Sequence, residues 1–193
     1  MKQQSPDEWK RTIQFGLHQD IQKQSGAKFY TPFFIRSEEA HRDYWLLHLS
    51  NHPKARDVMM ELHWQLHNHF VHYGRAGLNM LGYSPSHDLE LQGYSKGLFE
   101  FNQEARNATD LALLDDIPRR VIHHKNGITF EEFFKTVTNE TPATRQILAD
   151  AIRELSKNRE LDILDSSGKR RDLGVIPRND DILQVPRQMK LLR

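Results

Sequence analysis

Apolar residues return every fourth position from Trp9 through Ile13 and Leu17 to Ile21, which places them along one face of a helix. Ser5-Pro6-Asp7-Glu8 ahead of them is a helix-start signature, a proline near the first turn followed by carboxylates. Ser25-Gly26 stops the helix after about Gln24. The pattern then changes. FYTPFFIR (29–36) and DYWLLHLS (43–50) are rich in aromatic and branched residues and are separated by SEEAHR; both read as strands. In the second, Tyr44, Trp45, Leu46, Leu47 and Leu49 occupy both alternating faces, which suits a sheet covered on both sides, as in α/β proteins. Two strands do not make such a sheet alone, so the pair is expected to finish a larger sheet supplied by another chain or domain.

Pro53 opens the next helix at the position where a missing N–H costs nothing. Ala55, Val58, Met59, Leu62, Leu66, Phe70 and Tyr73 fall on one stripe at helical spacing, so this stripe is the expected buried face and the helix is expected to end near Gly74. GRAGLNMLGYSPSHDLELQGYSKG, with five glycines and a proline, reads as an irregular connector. The last third is helical from about Asn107 to His124, with a kink or restart expected at Pro118. Thr129-Phe130-Glu131-Glu132 has the spacing of a capping box and starts a helix through Phe133, Phe134 and Val137. Thr141-Pro142 is expected to cap the following helix, which buries Ile147, Leu148, Ala151, Ile152 and Leu155. LDILDSSGKRRDLGVI (161–176) then predicts two short strands around a Ser-Ser-Gly turn. Three helices, a turn of three or four residues between the second and third, and a hairpin make the order of a winged helix-turn-helix. The expected fold is therefore helix-rich α+β. An α/β layer occupies residues 1–83, a connector 84–106, the winged helix 107–175 and a tail 176–193.

Composition narrows the chemistry. The chain of 193 residues has no cysteine, which removes disulfides, thiolate nucleophiles and Cys-ligated zinc or iron–sulfur clusters, and fits a reducing cytoplasm. No apolar run reaches the length of a membrane span, and the N-terminus lacks the apolar centre of a secretory signal. A cytoplasmic location away from membranes is expected. Net charge is +1, so any contact with nucleic acid must come from a local patch.

Six histidines lie between His48 and Tyr73. His63 and His67 have the i,i+4 spacing that supplies two zinc ligands, the basis for reading the chain as a metal-dependent hydrolase. Against it, His69 falls near the apolar stripe, His72 points away, and there is no HExxH with its general base. No metal site is expected. His48 and His52 stand at a strand end, where α/β enzymes place acid–base chemistry, but His52 is equally placed to cap the next helix beside Ser50 and Asn51. No catalytic residue is expected. Gly74-Arg75-Ala76-Gly77 more simply ends a helix than clamps RNA. Walker, GxGxxG and GxSxG motifs are absent.

The winged-helix segment carries the functional expectation. Its third helix would expose Gln146, Asp150, Arg153 and Lys157, with Arg145 at the edge, and the wing turn offers Lys169, Arg170 and Arg171. Arg145, Gln146, Arg153, Lys157, Lys169, Arg170 and Arg171 are the expected nucleic-acid-binding residues. Asp150, Glu154, Asp162, Asp165 and Asp172 lie among them, and residues 123–193 hold thirteen basic against eleven acidic side chains. A protein partner is therefore an equal alternative to duplex nucleic acid.

FYTPFFIRSEEAHRDYWLLHLSNHPKARDVMMELHW, followed by HYGRAGLNMLGY and a terminal winged helix, resembles the C-terminal part of the three-Cys-motif partner proteins of bacteria. The resemblance covers roughly residues 8–83 and 107–175, and its most specific part is the strand–SNHP–helix passage. It implies the end of a methyltransferase-type Rossmann domain, seen as two adjacent strands with flanking helices, joined to a winged helix-turn-helix. It also implies a neighbouring protein with a three-cysteine motif as partner. The family's glycine-rich methyl-donor turn has no counterpart in this sequence, and no catalytic residue or cofactor carries over. The reading is a non-catalytic accessory protein that binds nucleic acid or a protein partner. It is expected to pair through its sheet edge with a second copy or with a separately encoded methyltransferase-like N-terminal half. The alternative reading is the complementing half of a split SAM-dependent methyltransferase-like enzyme.

Overall fold

The computed structural model describes residues 20–37, 42–66, 70–71 and 101–186. It is a helix-rich α+β arrangement with a C-terminal winged helix-turn-helix. A helix, α1, is described over residues 20–25 and ends at Gly26, whose φ of 68° closes the turn. Strands β1 (Phe29–Ser37) and β2 (Arg42–Ser50) pair antiparallel from Phe29↔Ser50 to Ser37↔Arg42. A short strand, β3 (Phe70–Val71), pairs with β1 at Phe34 and Ile35, giving the order β2-β1-β3. Phe70 was expected inside a helix running to Gly74. Instead α2 (Pro53–Leu66) stops eight residues short of that glycine, and the chain returns to the sheet.

The orientation of α2 also differs from the sequence expectation. Val58, Leu62 and Leu66 are exposed, whereas Pro53, Arg56, Asp57, Met60 and His63 are buried. The helix presents its apolar stripe outward and turns a mixed polar face toward the rest of the molecule. Arg56 and Asp57 are tolerated there because each finds partners on the winged helix.

Helix α3 (Gln103–Val121) starts from Asn102, whose side chain accepts from the Ala105 N–H, and runs unbroken through Pro118. Strand β4 (Ile128–Thr129) leads into α4 (Phe130–Val137), and Thr129 caps it, forming one half of the expected capping box. Thr129 Oγ1 accepts from the Glu132 N–H at 3.2 Å and donates to the Glu132 carboxylate at 3.0 Å. Residues 138–144 make a longer turn than expected, and α5 (Arg145–Lys157) is capped by Thr144, which accepts from the Ile147 N–H, rather than by Thr141. Thr141 instead shapes the turn, accepting from the Ala143 N–H.

Strand β5 (Asp162–Leu164) meets the expected hairpin return at Leu164↔Arg170, where the Arg171 N–H donates to the Ile163 carbonyl at 2.8 Å, but its longer pairing is with β6 (Ile182–Gln184), which lies between β5 and β4. Strand β6 therefore lies within the stretch expected as a tail. One core joins these elements: Leu113, Ile117 and Val121 of α3, Phe130, Phe133, Phe134 and Val137 of α4, Ile147, Leu148, Ile152 and Leu155 of α5, and Ile163 and Leu183 of the sheet. A second cluster, Met60 and Phe101, is joined to it by Trp64. No described helix is long and apolar enough to cross a membrane.

Candidate nucleic-acid interface

The four N–H groups at the start of a helix have no partners within it, and the aligned peptide dipoles favour negative charge there. The first turn of α5 contains no acidic residue. The negative charge comes from the N-terminal layer instead. Asp57 Oδ1 accepts from the Arg145 N–H at 2.7 Å, and its other oxygen accepts from Lys54 Nζ at 3.2 Å. Beside it the fully buried Arg56 donates to the Ala143 carbonyl at 3.1 Å and to the Thr141 carbonyl. Burial pulls the Arg56 guanidinium down to about 9, the Asp57 charge opposing that fall, so it stays protonated at neutral pH. Trp64 Nε1 donates to the Pro142 carbonyl at 2.8 Å. Asn139 completes the contact: its side chain accepts from the Tyr30 N–H at 3.1 Å and donates to the Lys28 carbonyl at 2.9 Å. It makes the bonds that a neighbouring strand would make at the start of β1.

The seven sequence-predicted residues fall into two groups. Arg145 and Arg171 hold the structure together. Arg145 is half-buried over the rings of Phe130 and Phe134, with its guanidinium carbon 4.6 and 4.8 Å from their centroids. It bonds the Glu131 carboxylate at 2.9 Å and the Asn179 side chain at 2.6 Å. Arg171 bonds the fully buried Asp181 carboxylate at 2.7 Å, whose second oxygen accepts from the Arg178 N–H at 2.8 Å. Together these contacts fix both ends of the wing.

Gln146, Arg153, Lys157, Lys169 and Arg170 are exposed. Gln146 donates to Asp150 at 3.1 Å, Arg153 pairs with Asp150 at 3.4 Å, Lys157 with Glu154 at 3.5 Å and Arg170 with Asp162 at 2.5 Å. The wing turn is closed by its own hydrogen bonds. Asp165 Oδ1 accepts from the N–H and hydroxyl of Ser167 at 2.9 and 2.5 Å and from the Lys169 N–H at 3.0 Å. Gly168, at a φ of 83°, supplies the left-handed residue the turn needs. The Ser167 hydroxyl first, and then the Lys169 amide, hold the Asp165 carboxyl below its ordinary value.

Of the histidine-rich stretch, His48, His52 and His63 are among the described residues. His52 is exposed and its Nδ1 accepts from the Lys54 N–H at 3.2 Å, capping α2. His63 is buried, with its ring 5.4 Å from that of Phe101. Burial, and then the charges of Arg56 and His48, push the His63 imidazole down to about 4. Burial and Arg56 also lower His48. Both rings are therefore neutral at pH 7. Among the described residues no three His, Asp or Glu side chains converge on one point. His67, His69 and His72 lie outside the described residues, as does Gly74–Gly77.

Sequence reasoning missed Arg56, Asp57, Asn139, Asn179 and Asp181. Each works through a contact distant in sequence or through a buried loop, and nothing local marks it. A charged pair in the first turn of an amphipathic helix reads as solvated surface.

Residues 82–168 match the family model of the GMT-like wHTH domain. Comparison with curated proteins and with solved structures finds no match. The matched segment takes in α3, β4, α4, α5 and β5 and ends at the wing glycine, while β6, which completes the sheet, lies beyond it. The chain carries a GMT-like winged helix-turn-helix domain, in agreement with its resemblance to the three-Cys-motif partner proteins.

Proposed function

We propose that the chain is a non-catalytic cytoplasmic accessory protein whose winged helix contacts the backbone of duplex nucleic acid through the wing and the outer, C-terminal half of α5. The observation that carries this reading is the closure of the α5 N-terminus by Asp57, through the 2.7 Å bond from the Arg145 N–H. In helix-turn-helix proteins that read sequence, the first residues of this helix reach base edges. Here Arg145 is committed to Glu131, Asn179 and two phenylalanine rings. The exposed cations, Arg153, Lys157, Lys169 and Arg170, stand on the later turns of α5 and on the wing, where phosphates are the natural partners. The carboxylate partners of Arg153 and Lys157 are weak competitors, because such exposed pairs contribute about 1 kcal/mol or less. The expected binding is independent of sequence and weakens steeply with salt.

The test is fluorescence anisotropy with a labelled DNA duplex at low and at physiological salt, comparing wild type with the triple variant Arg153→Glu, Lys169→Glu, Arg170→Glu. Arg171 is left intact because it anchors the wing through Asp181. Micromolar binding that falls with salt and disappears in the variant supports the reading. No binding, or equal binding by the variant, overturns it and leaves the winged helix as a protein-docking module.

A second reading concerns partners. The exposed stripe of Val58, Leu62 and Leu66 on α2 and the exposed Leu46 on β2 favour a surface that another chain covers. A second copy, a separately encoded methyltransferase-like half or the three-cysteine-motif neighbour would each serve. Light scattering after size exclusion tests the first of these, and a monomer at tens of micromolar would remove it.

A further inference from the structure

We propose that Arg159, Arg170 and Arg171 form a site for a phosphate group at the base of the wing. The inference rests on the nucleic-acid reading above for its favoured source, a backbone phosphate, and it adds a residue that the reading lacks.

The helix α5 ends in a Schellman motif. The Glu160 N–H donates to the Leu155 carbonyl at 2.9 Å and the Arg159 N–H to the Ser156 carbonyl at 3.1 Å. This geometry requires a left-handed residue just past the helix, normally glycine, because a Cβ crowds the following carbonyl there. Arg159 occupies it with a φ of 62° and is the described non-glycine residue with positive φ. The left-handed backbone aims a long cation from the helix end toward the wing.

There Arg159 lines an open cleft of about 400 Å³ together with Arg170, Arg171, Asp172 and Leu173. The lining holds three arginines and one acidic residue. Asp162 and Asp181 each take one edge of Arg170 and Arg171. Each guanidinium has five N–H donors in a planar fork, so Arg170 and Arg171 are held in place with donors to spare. Among the described residues, no hydrogen bond or ion pair engages the Arg159 side chain. A phosphate, with several acceptor oxygens and a full negative charge, matches such a set by bidentate, charge-assisted bonds. A residue that keeps a strained backbone where glycine would relax it is a mark of function outweighing stability.

The substitution Arg159→Gly separates the two quantities. It relieves the left-handed strain and removes the cation, so the melting temperature should rise while phosphate binding falls. With the full chain, anisotropy on a DNA duplex should show about tenfold weaker binding, the loss of one charge-assisted contact. The log–log salt slope should become shallower by about one. Calorimetric titration with inorganic phosphate should lose its heat. Arg159→Lys, which keeps the charge on the same strained backbone, should retain duplex binding within a few-fold and show no rise in melting temperature. Arg159→Gly protein that binds the duplex and phosphate as wild type does would overturn the site. If Lys169→Glu alone weakens duplex binding and Arg159→Gly does not, the nucleic-acid reading survives and this site falls. If wild type binds phosphate but no duplex, and Arg159→Gly loses the phosphate, the site stands with free phosphate as its ligand and the nucleic-acid reading falls. Binding of neither by wild type overturns both.

Discussion

Replacing Arg56 by methionine tests how the two parts of the molecule are held together. Methionine keeps much of the side-chain volume but donates no hydrogen bond. Two buried carbonyls, of Thr141 and Ala143, lose a charged donor, and the fully buried Asp57 loses the positive charge beside it. Hydrogen bonds from charged groups contribute about 1.5–3 kcal/mol each, and removing one member of a buried charged pair costs about 3–5 kcal/mol. The expected loss is therefore about 4 kcal/mol, a large part of the roughly 5–15 kcal/mol that stabilises a folded domain. The assay is equilibrium urea denaturation followed by tryptophan fluorescence, since Trp64 sits in this contact through its bond to the Pro142 carbonyl. Hydrogen exchange over residues 139–145 should accelerate in the same variant. A loss of under about 1 kcal/mol, with unchanged exchange in that turn, would refute the claim that Arg56 clamps the helix-turn-helix turn to α2. A double-mutant cycle with Asp57→Asn should show coupling, because the two residues serve adjacent backbone groups of one turn.

Two further outcomes follow from the geometry. His63 is neutral when folded because its proton affinity is depressed to about 4, while the unfolded chain takes up the proton near 6.5. The unfolded state therefore binds more protons between those values, and stability is lost as pH falls from about 6.5 to about 4, by an order of 3 kcal/mol. Urea midpoints against pH should show this decline, and His63→Phe should flatten it; an unchanged slope would refute the assignment. Gly127→Ala should cost about 3 kcal/mol, left-handed strain and overpacking together. Its φ is 78°, and an added Cβ would lie 2.5 Å from Ile182 Cγ2 and 2.8 Å from the Leu183 carbonyl oxygen. A fall in melting temperature of roughly ten degrees checks it, and no fall would mean that β6 moves aside freely.

Local order was legible along the chain because it depends on residues three or four apart. The Thr129 cap and the Asp165–Gly168 wing turn satisfy backbone groups within reach of their own segment, while the buried stripe of α5 from Ile147 to Leu155 and the Pro53 start of α2 follow from helical spacing and the proline's fixed φ. Their order along the chain was enough to identify a winged helix-turn-helix. Competing local signals were less decisive. Thr141-Pro142 has the residues of a helix start, yet α5 is capped by Thr144 three residues later.

The tertiary structure alone decided which face of α2 is buried, which strand completes the wing and what covers the start of α5. The apolar stripe of α2 predicts that one face needs covering but not by what. The opposite face is buried because Asp57 and Arg56 meet backbone groups of the helix-turn-helix turn more than eighty residues further along. Strand β6 joins the sheet across a loop that a hairpin pattern does not encode. In each case a polar group is stable in the interior only through a distant partner, and the spacing of residues within a segment carries no record of that partner.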